Sequence, residues 1–157
     1  MRIGIFGGSF NPPHKMHKNI ALELLDKKTL DKIIYVPTGN KYNKKGLVSD
    51  KDRYNMLTIM VNDYKDLEVS DYEFNNELTY TYQTLNYFKN LYPKDEIYFI
   101  CGADNLSYFE SWKEYEYILE NFKILVIKRN NLDILDIVKK FKKYESNILV
   151  LPIKETV

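Results

Sequence analysis

Residues 7–17 read Gly7-Gly8-Ser9-Phe10-Asn11-Pro12-Pro13-His14-Lys15-Met16-His17, and this stretch constrains the chain more than any other. Ahead of it lies Arg2-Ile3-Gly4-Ile5-Phe6, an apolar run that reads as a buried strand. Behind it come Ile20, Ala21, Leu24 and Leu25, apolar at helical spacing. The order is strand, glycine-rich turn, helix. Such a turn aims free backbone N–H groups and a helix N-terminus at one place, which makes an anion site. Two adjacent glycines let the backbone approach a ligand closely. Both histidines of the chain fall here, three residues apart. Together these features point to an enzyme acting on phosphates. The competing reading is a plain strand–helix turn carrying two surface histidines.

The turn is neither of the two common phosphate loops. The glycines at 4, 7 and 8 do not make G-x-G-x-x-G, and no Gly-Lys-Ser/Thr ending is present. Further along, a helix is expected from His17 to Lys28 and a strand over Asp31–Val36, stopped by Pro37. Thr38 to Gly46 is a polar, basic loop without periodicity, long enough to carry function. Ser49 has the character of an N-cap, with Asp50 and Asp52 in the first turn. Tyr54, Leu57, Met60 and Val61 continue as a helical stripe. Asp66–Ser70 reads as a short strand and Glu73–Leu78 as a polar connection. Thr81, Leu85, Phe88 and Tyr92 mark a helix ended by Pro93.

Ile97 to Cys101 is the clearest central strand, and it runs into Gly102-Ala103-Asp104. Gly102 permits a tight turn at the carboxyl end of that strand, where open α/β sheets bind ligands. Residues 104–121 read as helix in two pieces, Phe122–Ile127 as a strand, residues 132–141 as a helix and Asn147–Ile153 as a last strand. Strands that alternate with helices imply parallel pairing with both sheet faces covered. The expectation is a single Rossmann-like, doubly wound α/β domain.

With 157 residues, 45% apolar content and a formal net charge of +1, the chain has no bulk field that would attract nucleic acid. Only the Lys41–Lys45 cluster speaks for nucleic acid at all. No apolar run approaches a membrane span and no leader pattern opens the chain. Cys101 is the one cysteine, so no internal disulfide forms. A cytoplasmic location is the expectation. A homo-oligomer is compatible with the sequence, which carries no signal of oligomeric state. A zinc site has little behind it, since His-x-x-His finds no matching Cys or His elsewhere.

The run G-G-S-F-N-P-P-H-x-x-H resembles the signature of the HxGH nucleotidyltransferases, G-G-T/S-F-D-P-x-H-x-G-H. Asn11 stands where that family commonly has Asp, and Met16 where it has Gly. The resemblance extends well past the opening motif. Ile100-Cys101-Gly102-Ala103-Asp104-Asn105-Leu106 followed by Glu110-Ser111-Trp112-Lys113-Glu114-Tyr115, and Thr79-Tyr80-Thr81-Tyr82-Gln83-Thr84-Leu85, are similar to segments of the nicotinate-nucleotide adenylyltransferase family. Val36-Pro37-Thr38-Gly39, Lys44 and Arg53 fall in the order of that family.

The resemblance implies adenylyl transfer from ATP to nicotinate mononucleotide, with magnesium on the triphosphate and no protein metal site. It implies Ser9, His14 and His17 as catalytic groups, His17 toward the α-phosphate. It implies ATP contacts from Gly7, Gly8, Ser9, Phe10, His14, His17, Lys44, Gly102 and Asp104. Tyr80, Thr81 and Trp112 would hold the pyridine nucleotide, Trp112 by stacking and the other two by backbone donors to the carboxylate. Asp104 also suits a helix N-cap, and Trp112 a core position.

The family's I-S-S-T-x-I-R segment is due where Lys154-Glu155-Thr156-Val157 closes this sequence. The expectation is therefore a chain cut short at its C-terminus. Two alternatives stand beside this reading. One is another nucleotidyltransferase of the same fold, such as a phosphopantetheine adenylyltransferase. The other is a nucleotide-binding module without catalysis.

Overall fold

Strand β1, Arg2–Gly8, runs two residues further into the glycines than the apolar run alone suggests. The computed structural model of this chain describes residues 1–39, 46, 48–75, 79–106, 108–128 and 138–151, and of Asp104 only the backbone. It divides into two units, Met1–Thr79 and Tyr80–Val157.

In the first unit, β1 is followed by helix α1 (Lys15–Asp26), strand β2 (Lys32–Pro37), helix α2 (Asp50–Val61), strand β3 (Leu67–Val69) and the short helix α3 (Tyr72–Asn75). β2 lies between β1 and β3 and is parallel to both. The register pairs Gly8 with Pro37, so the strand ends that flank the turn are level. Residues 3 to 6 are buried in succession, as are 33 to 37. Because side chains alternate between faces along a strand, consecutive burial means that both faces are covered. α1 contributes Ile20, Ala21 and Leu24 to that cover, as its apolar spacing predicts.

In the second unit, helix α4 (Thr81–Leu91) leads into strand β4 (Glu96–Gly102), followed by the short helix α5 (Ala103–Leu106) and a 3₁₀ turn at Phe109–Ser111. Helix α6 (Tyr115–Asn121), strand β5 (Lys123–Ile127), a 3₁₀ segment at Lys142–Asn147 and strand β6 (Ile148–Leu151) complete it. β5 lies between β4 and β6, parallel to both. Residues 97 to 101 and 124 to 127 are again buried in succession. Each unit is thus one half of the Rossmann-like, doubly wound α/β class.

Two local expectations are corrected. α1 begins at Lys15 rather than His17, because His14 itself caps it. The connection after Glu73 contains the turn of helix α3, too short to show a period. Most of the helix expected over 132–141 and the end of the last strand lie outside the described residues, as do Lys44, the Lys41–Lys45 cluster and the closing tail. Among the described residues no helix is long and apolar enough to cross a membrane.

Candidate active site

The end of β1 is fastened before it turns. Gly8 O accepts from Thr38 N–H at 2.9 Å and from Thr38 Oγ1 at 3.2 Å, which ties the ends of β1 and β2 together. Gly39, next along, has no room for a side chain: a Cβ there would stand 2.7 Å from the carbonyl oxygen of Glu73. Phe10 then takes φ 47°, left-handed backbone that costs an L-residue roughly 1–2 kcal/mol. The residue is 3% exposed, and its ring packs edge-on against Phe6 at 5.7 Å, Tyr35 at 5.6 Å and His17 at 4.8 Å. Burial of such a ring is worth about 1.5–3 kcal/mol, enough to offset the strained backbone. Phe10 therefore shapes the turn from beneath, and any contribution to a ligand comes from its backbone.

Helix α1 opens with a capping box made of two imidazoles. His14 Nδ1 accepts from Met16 N–H at 3.3 Å, and His17 Nδ1 accepts from His14 N–H at 2.9 Å. The rings stack with centroids 3.9 Å apart and planes 25° apart. A neutral imidazole has one donor nitrogen and one acceptor. Backbone donors occupy Nδ1 in both rings, so each neutral ring carries its proton on Nε2. The geometry sets the tautomer of both histidines toward donation. The carbonyl of His17 is in turn held by the buried Tyr35 hydroxyl at 2.7 Å. Burial raises the Tyr35 pKa above the ordinary tyrosine value, so the phenol stays a donor.

Met16 is the second residue of α1 and lies in helical backbone. The position that is glycine in the resembled motif thus requires no glycine conformation here. In the first unit, then, the turn brings together Gly7, Gly8, Ser9, Phe10, His14 and His17 at the carboxyl end of β1 and the amino end of α1.

The second unit carries the other residues singled out in the sequence. Gly102 ends β4, and a Cβ there would meet nothing within 4 Å. Packing does not demand glycine at that point, so the strand end stays bare. The backbone of Asp104 is the second residue of α5 rather than its N-cap. Trp112 is half-buried, tilted on Phe109 at 4.6 Å and edge-on to Phe99 at 5.7 Å. It serves the core with part of its ring and keeps part accessible. Tyr80 caps α4, but its N–H already donates to Gln83 Oε1 at 2.9 Å. That leaves Thr81 N–H, in the first turn and without an intrahelical acceptor, as the better donor of the two.

Three residues stand in the resembled segments without a role drawn from the sequence. Lys113 Nζ sits 5.0 Å above the Tyr80 ring, a cation–π contact at the start of α4. Arg53 and Asn11 both grip the turn. Arg53 gave no signal beyond its place in the order of the resembled family, and Asn11 none beyond its departure from Asp.

The cytidylyltransferase-like family model matches residues 5–155. A protein of Clostridium novyi named probable nicotinate-nucleotide adenylyltransferase is 38% identical over 157 aligned residues, covering 96% of this chain and 78% of that relative. One of the same name from Clostridium tetani is 36% identical, with 95% of this chain and 78% of the relative covered. Among solved structures, Plasmodium falciparum nicotinic acid mononucleotide adenylyltransferase complexed with NaAD superposes with a TM-score of 0.82 at 25% identity. That match covers 99% of this chain and 77% of the other.

Proposed function

Because the chain belongs to the cytidylyltransferase-like family, and within it to the nicotinate-nucleotide adenylyltransferases, we propose that it transfers the adenylyl group of ATP to nicotinate mononucleotide. An oxygen of the mononucleotide 5′-phosphate attacks the α-phosphorus of ATP. The bond from that phosphorus to the bridging oxygen breaks, and pyrophosphate leaves with the electron pair. The products are deamido-NAD and pyrophosphate. The acceptor is already an anionic oxygen, so no protein nucleophile and no strong base is needed. What the reaction requires is alignment and stabilisation of charge on the transferring phosphoryl group.

The reciprocal capping of His14 and His17 carries this reading. It directs each neutral imidazole to donate from Nε2, and it does so beside the first N–H groups of α1 and the glycine turn. His17 serves the α-phosphate, while His14, Ser9 and the turn N–H groups of Gly7, Gly8 and Phe10 serve the outer phosphates. Lys44 adds charge from the basic loop. Gly102 leaves room for the adenosine at the end of β4, and Asp104 accepts from a ribose hydroxyl. Trp112 stacks on the pyridine, with Thr81 N–H toward its carboxylate. Among the described residues no group of three or more His, Cys, Asp or Glu forms a protein metal centre. We assign magnesium to the triphosphate itself, where it would neutralise phosphate charge.

The test is pyrophosphate release with ATP and each of nicotinate mononucleotide, nicotinamide mononucleotide and phosphopantetheine. Turnover is expected with the first and much less with the others. Preference for phosphopantetheine would reassign the chain to another acceptor class. Nucleotide binding without turnover on any acceptor would make it a binding module.

A further inference from the structure

None of the Arg53 side chain is exposed, and arginine is seldom buried without fixed partners. Its guanidinium is spent inside the first unit. Nη1 donates to Ser9 O at 2.8 Å, Nε to Val48 O at 2.8 Å and Nη2 to Asp50 Oδ1 at 2.7 Å. The Phe74 ring lies 5.4 Å from its Cζ. So placed, Arg53 does not reach a bound nucleotide. Asn11 makes a second link to the same segment. Its Nδ2 donates to Gly46 O at 2.7 Å, and its Oδ1 accepts from Val48 N–H at 2.8 Å. Of the two neighbours of the strained Phe10, Ser9 is therefore tied to Val48 through Arg53, and Asn11 directly to Gly46 and Val48.

We propose that Arg53 and Asn11 are positioning residues for ATP, holding the Ser9–Asn11 turn in its binding geometry before the nucleotide arrives. This rests on the turn being the triphosphate site. A turn left to order itself on binding would lose affinity by the cost of that ordering. The pair also accounts for Asn11. An amide donates and accepts, whereas a carboxylate only accepts. Aspartate at this position would satisfy Val48 N–H but set an anion against the Gly46 carbonyl.

The experiment uses the full chain with Asn11→Ala, Arg53→Lys and the double variant. Affinity for a non-hydrolysable ATP analogue with magnesium is measured by calorimetry, beside KM for both substrates, kcat and thermal melting. Asn11 is exposed, so its alanine variant keeps the fold. The expected result is about tenfold weaker ATP binding in each single variant, equivalent to roughly 1.4 kcal/mol. The mononucleotide KM should stay within about twofold, and the double variant should fall short of the product, since both act on one link. Unchanged ATP affinity in Asn11→Ala would overturn the proposal. So would an equal loss for both nucleotides that tracks a lowered melting temperature. The calorimetric readout needs no turnover, so it stands apart from the test of the reaction itself.

Discussion

The His14 and His17 rings stack at 3.9 Å while each Nδ1 accepts a backbone N–H of the same helix start. The helix cap and the proposed phosphate donors are therefore the same two side chains. Folding α1 sets the tautomer of both rings, and under the proposed mechanism loss of either ring touches both roles.

His17→Ala should lower kcat by about 10²–10³-fold, the usual effect of removing one preorganised donor to a developing charge. The KM for nicotinate mononucleotide should change far less. A loss of roughly 1 kcal/mol in stability accompanies the missing capping-box bond to His14 N–H, and is visible as a lower melting temperature. Steady-state kinetics on folded protein separate the two, and unchanged kcat would remove His17 from the mechanism.

Trp112→Ala should raise the KM for the pyridine nucleotide and leave ATP affinity nearly unchanged. Loss of stacking on one ring is worth roughly 1–3 kcal/mol. Trp112→Phe keeps the contact with Phe109 and should recover most of the loss. Intrinsic fluorescence gives a second readout, because this is the one tryptophan of the chain. Emission that ignores saturating mononucleotide would make Trp112 a packing residue only.

Met16→Gly restores the glycine of the resembled motif. Since Met16 lies in helical backbone, glycine there should cost up to about 1 kcal/mol in stability, or roughly 2–4 °C in melting temperature. Turnover should stay within a few-fold. A large gain in kcat would mean that the methionine side chain obstructs the phosphates.

Much of this was legible in the sequence, for identifiable reasons. Continuous apolar runs such as Ile97–Cys101 could only be strands buried on both faces, and Pro93 had to end α4. The helix start at Lys15 was missed because imidazole is outside the usual cap residues, and nothing in sequence reveals a histidine capping through Nδ1. The buried stripe of α2 was read as Tyr54, Leu57, Met60 and Val61, whereas its fully buried members are Arg53, Leu57 and Val61. A guanidinium never counts in an apolar pattern, so its burial emerges only when Ser9 and Val48, far apart in the chain, are seen around it. The same holds for Asn11, whose partners lie more than thirty residues away.

Cys101 is buried, and burial pushes its thiol pKa from 9.0 up to about 12. The neutral thiol is therefore the form that the fold favours. Its contribution to stability is complete below the unfolded value near 9 and is lost as pH rises from there toward 12. At pH 8 an aromatic disulfide reagent should label the native protein slowly and the denatured chain at once, and the melting temperature should fall above pH 9. Rapid labelling of the native protein would contradict this burial.

The most direct measurement follows the α-phosphate. ATP labelled at the α-phosphorus is incubated with the protein, magnesium and nicotinate mononucleotide, and the products are separated. The label is expected in deamido-NAD, one equivalent per pyrophosphate released, and His17→Ala should slow both together. Label remaining in AMP, or pyrophosphate released without a dinucleotide, would contradict adenylyl transfer to the mononucleotide.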